Sequence, residues 1–188
     1  PVGRGADVEI SMAGEGNLMY QVTGSYYLPW ERLSLYPELI GGGDLVAIDV
    51  AYDRTELAVN DTVAVEVTVT LSEGAEAAGP AVAEQAIIDL GLPPGFEVET
   101  EDLAQLVARF QDLPDDYPHA QIKRFELTGR QIILYVKDLS SAEPLTFSYR
   151  LRAKFPLVAQ TPASMAYDYY NPTATADAAP QVLTVVGE

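Results

Sequence analysis

One stretch of this chain has a helical period, and nearly everything else alternates. In Thr100–Asp112 (TEDLAQLVARFQD), Leu103, Leu106, Val107 and Phe110 stand at i, i+3, i+4 and i+7 and so share one helix face. Thr100 is placed to cap the N-terminus. Glu101 and Asp102 put negative charge in the first turn, where the macrodipole favours it, and Pro114 stands just past the end. The expected architecture is a β framework with a single helix over about 100–112. Its apolar stripe should cover one sheet face, with Glu101, Asp102, Gln105, Ala108 and Arg109 turned outward.

The alternating segments fall into two groups. In the first, Val8, Ile10 and Met12 alternate with polar residues, Gly14-Glu15-Gly16-Asn17 supplies a turn, and Leu18–Leu28 alternates again, which predicts a hairpin. A lone hairpin is marginal in water and needs a partner strand. Gly41-Gly42-Gly43 then makes a flexible joint. It is no phosphate loop, because no Lys-Ser/Thr follows it. The second group starts at Leu45. Val46–Tyr52 and Val63–Leu71 alternate, with a turn at Asn60-Asp61. Residues 73–83 read as an acidic loop and Ala86–Leu90 as a short apolar strand. After the helix come Ile122–Leu127, a turn at Thr128-Gly129-Arg130, and Ile132–Val136, apolar throughout and so expected inside a sheet. Leu145–Phe155 alternates strictly, which leaves Thr146, Ser148, Arg150, Arg152 and Lys154 on a wet, basic face. Ala163–Tyr170 and Gln181–Val186 complete a pattern that indicates a β-sandwich.

Composition removes several function classes. The 188 residues hold 11 basic and 28 acidic side chains, a formal charge of −17. No basic patch could offset that field, so a nucleic-acid partner is excluded and an anionic membrane surface is disfavoured. With no cysteine, the chain can form no disulfide, no zinc–thiolate site and no Cys nucleophile. No apolar run approaches a transmembrane span. Pro1-Val2-Gly3 has neither an initiating Met nor the form of a signal peptide, so the chain is expected to begin inside a longer protein.

Three stretches in order carry a family resemblance: IIDLGLPPGFEV (87–98) before the helix, RQIILYVKDLSSAEPLTFSY (130–149) after it, and ASMAYDYYNP (163–172) near the end. Together they resemble the receptor-binding domain that closes thioester-containing proteins of the alpha-2-macroglobulin family. The resemblance implies a macroglobulin-type antiparallel β-sandwich over 45–188 with one inserted helix. It also frames residues 1–40 as the last strands of a CUB-like β domain, with 41–44 as a linker. GNLMYQVTGSYYLPW (16–30) carries that part of the match. The implied function is a non-catalytic C-terminal interaction domain of a secreted or cell-envelope protease inhibitor. A stalk or adhesion module of a surface protein is the alternative. The family's thioester needs Cys-x-x-Gln, which a chain without cysteine cannot supply, and its bait region is not in this stretch. Vertebrate members of the family use two lysines on or near the helix to dock into acidic receptor modules, whereas Thr100–Asp112 contains no lysine. That receptor role is therefore not carried over to any residue.

Candidate chemistry is sparse. His119 is the only histidine and has no placed partner, there is no Gly-x-Ser-x-Gly elbow, and Ser140-Ser141 reads as a turn. Asp112, Asp115 and Asp116 lack a calcium-loop pattern and read as a solvated loop. Asn60-Asp61-Thr62 is a sequon, but in a position where a turn alone favours Asn and Asp. Period two sends Tyr167 and Tyr169 to one face and Tyr170 to the other, which predicts core packing and a sandwich edge more readily than a sugar platform. No catalytic residue, cofactor or metal is expected. The expected interaction surface is Arg109 with the basic strand face Arg150, Arg152 and Lys154. Its expected partners are other domains of the parent protein, or a receptor or proteases engaged through the whole protein.

Overall fold

Strict alternation builds the first sheet. The computed structural model describes residues 13, 14, 19, 29, 45–72, 81–111, 113–114, 117–171 and 174–187. Strands β1 (Val46–Tyr52) and β3 (Thr62–Leu71) pair antiparallel, and β3 pairs in turn with β8 (Leu145–Ala153). Val63, Val65, Val67 and Val69 are fully buried, opposite Leu151, Tyr149, Phe147 and Leu145 on the same inner face. A short strand, β5 (Phe96–Val98), pairs with the other side of β8 and completes the order β1-β3-β8-β5.

The second sheet is made by β4 (Val82–Gly91), β6 (Gln121–Leu127), β7 (Gln131–Ser140), β10 (Ser164–Asp168) and β11 (Thr175–Ala178), in the order β11-β10-β4-β7-β6. Ile88, Leu90, Ile132 and Leu134 have no exposed surface and face the valines of the first sheet within one core. The expected segment Ile132–Val136 does lie inside a sheet, between β4 and β6. A small third sheet, β2 (Glu56–Ala58), β12 (Val182–Val186) and β9 (Leu157–Gln160), adds Leu57, Leu183 and Val185 to the same core. Among the described residues, every pairing is antiparallel except β2 with β12. Among the described residues, the fold observed is thus a mainly β sandwich with one helix.

Several boundaries differ from the sequence reading. Helix α1 runs over Thr100–Ala108, not to Asp112. Phe110 and Gln111 bond back three residues, to Val107 and Ala108, so the last turn tightens and stops. Glu99, not Thr100, is the N-cap, and no side chain caps that end. The helix does not cover a sheet face. Leu103, Leu106 and Val107 are buried where α1 meets β8 of one sheet and β6, an edge strand of the other, so it plugs the side of the sandwich. Strand β4 is twice the length expected from Ala86–Leu90 and takes in Val82 and Ala83, assigned above to a loop. Strand β8 ends at Ala153, leaving Phe155 64% exposed. The hairpin expected over residues 6–28 and the Gly41–Gly43 joint lie outside the described residues, apart from Ala13, Gly14 and Met19.

Two turns place the helix and the third sheet. Gly95 sits at φ +80 just before β5, in a conformation an L side chain rarely adopts. Asn60 adopts φ 71 between β2 and β3, its N–H donating to Ala153 O at 2.8 Å. Asn tolerates the left-handed region, so this exposed turn accounts for the residue type of the sequon by backbone chemistry.

Candidate interaction surface

The outward side of β8 carries the predicted cations, and the chain folds so that each meets an acid. Register aligns Glu97 with Arg152 and Val98 with Leu151, and the Glu99 N–H then donates to Arg150 O at 2.9 Å. That pairing brings the acidic run before the helix alongside the basic strand. Lys154 Nζ lies 3.0 Å from Glu97 Oε2. Arg152 reaches Glu99 Oε1 from Nη2 at 2.6 Å and donates from Nη1 to Asn60 O at 3.1 Å. Arg150 binds Asp102 in the first helical turn through two side-chain bonds of 2.8 Å, and its backbone N–H adds a third of 3.0 Å. The bond from Arg150 holds the Asp102 carboxyl below the usual carboxylate range, and the same bond raises the guanidinium of Arg150.

The basic face is therefore a seam of matched charges rather than a row of free cations. It ties β5 and the N-terminus of α1 to β8. Arg109, the helix C-cap residue, has no ion pair among the described residues. It lines a groove of about 250 Å³ between α1 and β8 with Asp102, Gln105, Leu106, Ser148 and Arg150. The structure thus brings Arg109 and Arg150 to one groove and sets Arg152 and Lys154 further along the strand. Sequence reasoning missed the role of Glu97 and Glu99. The signal was present in their spacing of two, the same period as Arg150, Arg152 and Lys154.

The remaining candidates sort plainly. His119 pairs through Nδ1 with Glu143, both side chains about half exposed, and its ring meets Tyr117 edge-on at 5.2 Å. The turn expected at Ser140-Ser141 starts at Ser141, whose Oγ accepts from Ala81 N at 2.9 Å, whereas Ser140 ends β7 opposite Val82 and its Oγ accepts from Ala142 N at 3.2 Å. Asp112, Asp115 and Asp116 lie outside the described residues. Among the described residues, no three His, Cys, Asp or Glu side chains are grouped to hold a metal ion, and no helix is long and apolar enough to cross a membrane.

The tyrosines are not core residues, contrary to the expectation above. Tyr167 is only part-buried, while Tyr169 and Tyr170 are 52% and 70% exposed and meet edge-on at 5.2 Å. Sheet β11-β10-β4-β7-β6 places Tyr167 opposite Ile87, and Ile87 opposite Tyr135, on the face away from the core. The core tyrosine is Tyr149, whose hydroxyl is pushed up by burial, and Tyr52, bonded to Thr161, is pushed up to about 12 for the same reason.

Comparison with known proteins places this geometry. The family model described as the A-macroglobulin receptor binding domain matches residues 81–179, more than half of the chain. A crystal structure of native alpha-2-macroglobulin from Escherichia coli, running from domain MG7 to the C-terminus, shares the fold with a TM-score of 0.61 at 23% identity. It is matched over 78% of this chain and 24% of that one. Trypsin-activated alpha-2-macroglobulin from Escherichia coli gives 0.60 at 21% identity, over 77% of this chain and 10% of that one. Salmonella alpha-2-macroglobulin reacted with methylamine gives 0.57 at 21%, over 76% and 9%. The chain thus spans a quarter or less of these structures. No curated protein matches it.

Proposed function

Because this chain belongs to the A-macroglobulin receptor binding domain family, we propose that it is the non-catalytic C-terminal interaction domain of a longer alpha-2-macroglobulin-like protease inhibitor. The carrying observation is the family match over 81–179, which takes in α1, the strands β5 and β6 on either side of it in the chain, and the tyrosine-bearing end of β10. The trap itself would belong to other parts of the parent, since a chain with no cysteine cannot form a thioester. The setting proposed is outside the cell or in the cell envelope, as the family resemblance implies.

The proposed contact surface is the α1–β8 side, with Arg109, Arg150, Arg152 and Lys154, and its proposed partner is another domain of the parent. Three of these cations already have carboxylates, so their part is to hold the surface in shape. Arg109 is the cation offered to the partner. A guanidinium is no substitute for a lysine ammonium as a compact point charge, and −17 would slow encounter with an acidic receptor.

The test is made on the longer protein. Its upstream sequence should encode Cys-x-x-Gln, and incubation with trypsin should protect large protein substrates while small chromogenic peptides are still cleaved. An upstream region with no thioester domain, together with no such protection, would remove the inhibitor reading. Arg109→Ala should weaken contact between this domain and the rest of the parent without lowering the melting temperature of the domain alone.

A further inference from the structure

The outer face of the five-stranded sheet takes no part in the charged seam, and its composition is unusual. Register builds two rows across all five strands. One is Asp177, Met165, Asp89, Ile133 and Glu126, in which acids alternate with apolar residues. The next is Thr175, Tyr167, Ile87, Tyr135 and Arg124. Asp89 and Asp177 lie two strands apart, roughly 10 Å by ordinary strand spacing, with Met165 between them. Gln131 Nε2 donates to Asp89 Oδ2 at 2.7 Å, but Oδ1 is shielded from water and accepts no hydrogen bond. Asp177 has no hydrogen bond or ion pair among the described residues. Desolvation raises both carboxyls. Buried acceptors in folded proteins are rarely left unsatisfied.

We propose that this face docks a folded protein whose contact patch is apolar and carries an arginine or lysine that settles between Asp89 and Asp177. The tyrosine row and Met165 supply the large, part-exposed side chains on which such contacts concentrate. The incoming cation supplies the donor that Asp89 Oδ1 lacks, once side-chain rearrangement on docking uncovers that oxygen. The same face already holds one guanidinium over a ring, with Arg124 Cζ 3.6 Å from the centre of Tyr135. A charge of −17 favours encounter with a cationic partner and opposes pairing with a second copy. The proposal is independent of the family assignment, because every observation behind it belongs to this sheet.

Nuclear magnetic resonance of the full chain tests it, with N-acetyl-tyrosyl-arginine amide as the probe and the uncharged citrulline analogue as its control. Shifts should concentrate at Asp89, Ile133, Met165, Tyr167 and Asp177. The citrulline analogue should bind about tenfold more weakly, for want of one charge-assisted hydrogen bond. The double variant Asp89→Asn/Asp177→Asn should abolish those shifts and melt no lower than the parent chain, because it removes two desolvated charges. Four results would overturn the proposal. They are shifts scattered over all surface carboxylates, equal binding of the two probes, a response to cellohexaose and not to the arginine probe, and a dimer in sedimentation that Met165→Ser dissolves.

Discussion

Replacing Leu103 by Ala tests whether α1 exists because of what it buries. A helix of nine residues is unstable alone in water, so packing has to hold it. Leu103 has no exposed surface and sits in the central cluster between the two sheets. The substitution removes three carbons, about 2 to 2.5 kcal/mol at ~0.8 kcal/mol per methylene. The cavity left beside β6 and β8 adds to that, because strands paired along their length cannot collapse into it, so the total should reach about 3 to 4 kcal/mol. Urea unfolding of the full chain reads this as a lower midpoint at unchanged slope. Hydrogen exchange should show lost protection over residues 103–108 first, with Val63–Val69 kept. Phe110→Ala, in the tightened turn past the helix end and only part-buried, should cost clearly less. A cost under about 1 kcal/mol for Leu103→Ala, or an equal cost at the two positions, would refute the account of the helix as a buried plug that ends at Ala108.

Three further outcomes follow from the same geometry. Burial raises the folded-state acid constants of Tyr52 and Tyr149, so the folded state keeps those protons longer than the unfolded chain. Stability from this source is complete below the unfolded value of 10.0 and falls as pH rises above it; pH-dependent melts should show an alkaline transition that Tyr149→Phe moves upward. Asp102 shifts the other way, so its contribution is full above the unfolded value of 3.8 and disappears as pH falls through its lower folded value; Asp102→Asn should flatten the acid limb of the melting curve and expose the Arg150 amide to exchange. Gly91→Ala would place a methyl group 2.6 Å from Pro162 Cβ and 2.7 Å from its carbonyl oxygen, where backbone cannot yield, and thermal melts should report a loss of about 2 kcal/mol or more.

By itself the sequence determined the sandwich and the helix laid against it. Alternation in Val63–Leu71 and Leu145–Ala153, and the stripe Leu103, Leu106, Val107, are local statements about which side of each element is apolar, and burial obeys them. Strands of three or four residues were not legible. Glu56–Ala58, Phe96–Val98, Leu157–Gln160 and Thr175–Ala178 are too short to show a period and exist because a longer neighbour supplies their hydrogen bonds. The end of the helix at Ala108 was likewise decided by packing, since Phe110 continues the stripe and packs against the core, yet does so from a tightened turn beyond the helix. Tertiary structure alone decided the surface chemistry. A row of Arg150, Arg152 and Lys154 reads as a basic face until β5 pairs with β8 and brings Glu97, Glu99 and Asp102 against it. Tyr167 reads as core until the register shows which face of the second sheet it occupies, and Tyr169 does so until β10 ends at Asp168 and leaves it exposed. Charge pairing and sidedness depend on which strands become neighbours, and neighbours far apart in sequence leave no local pattern.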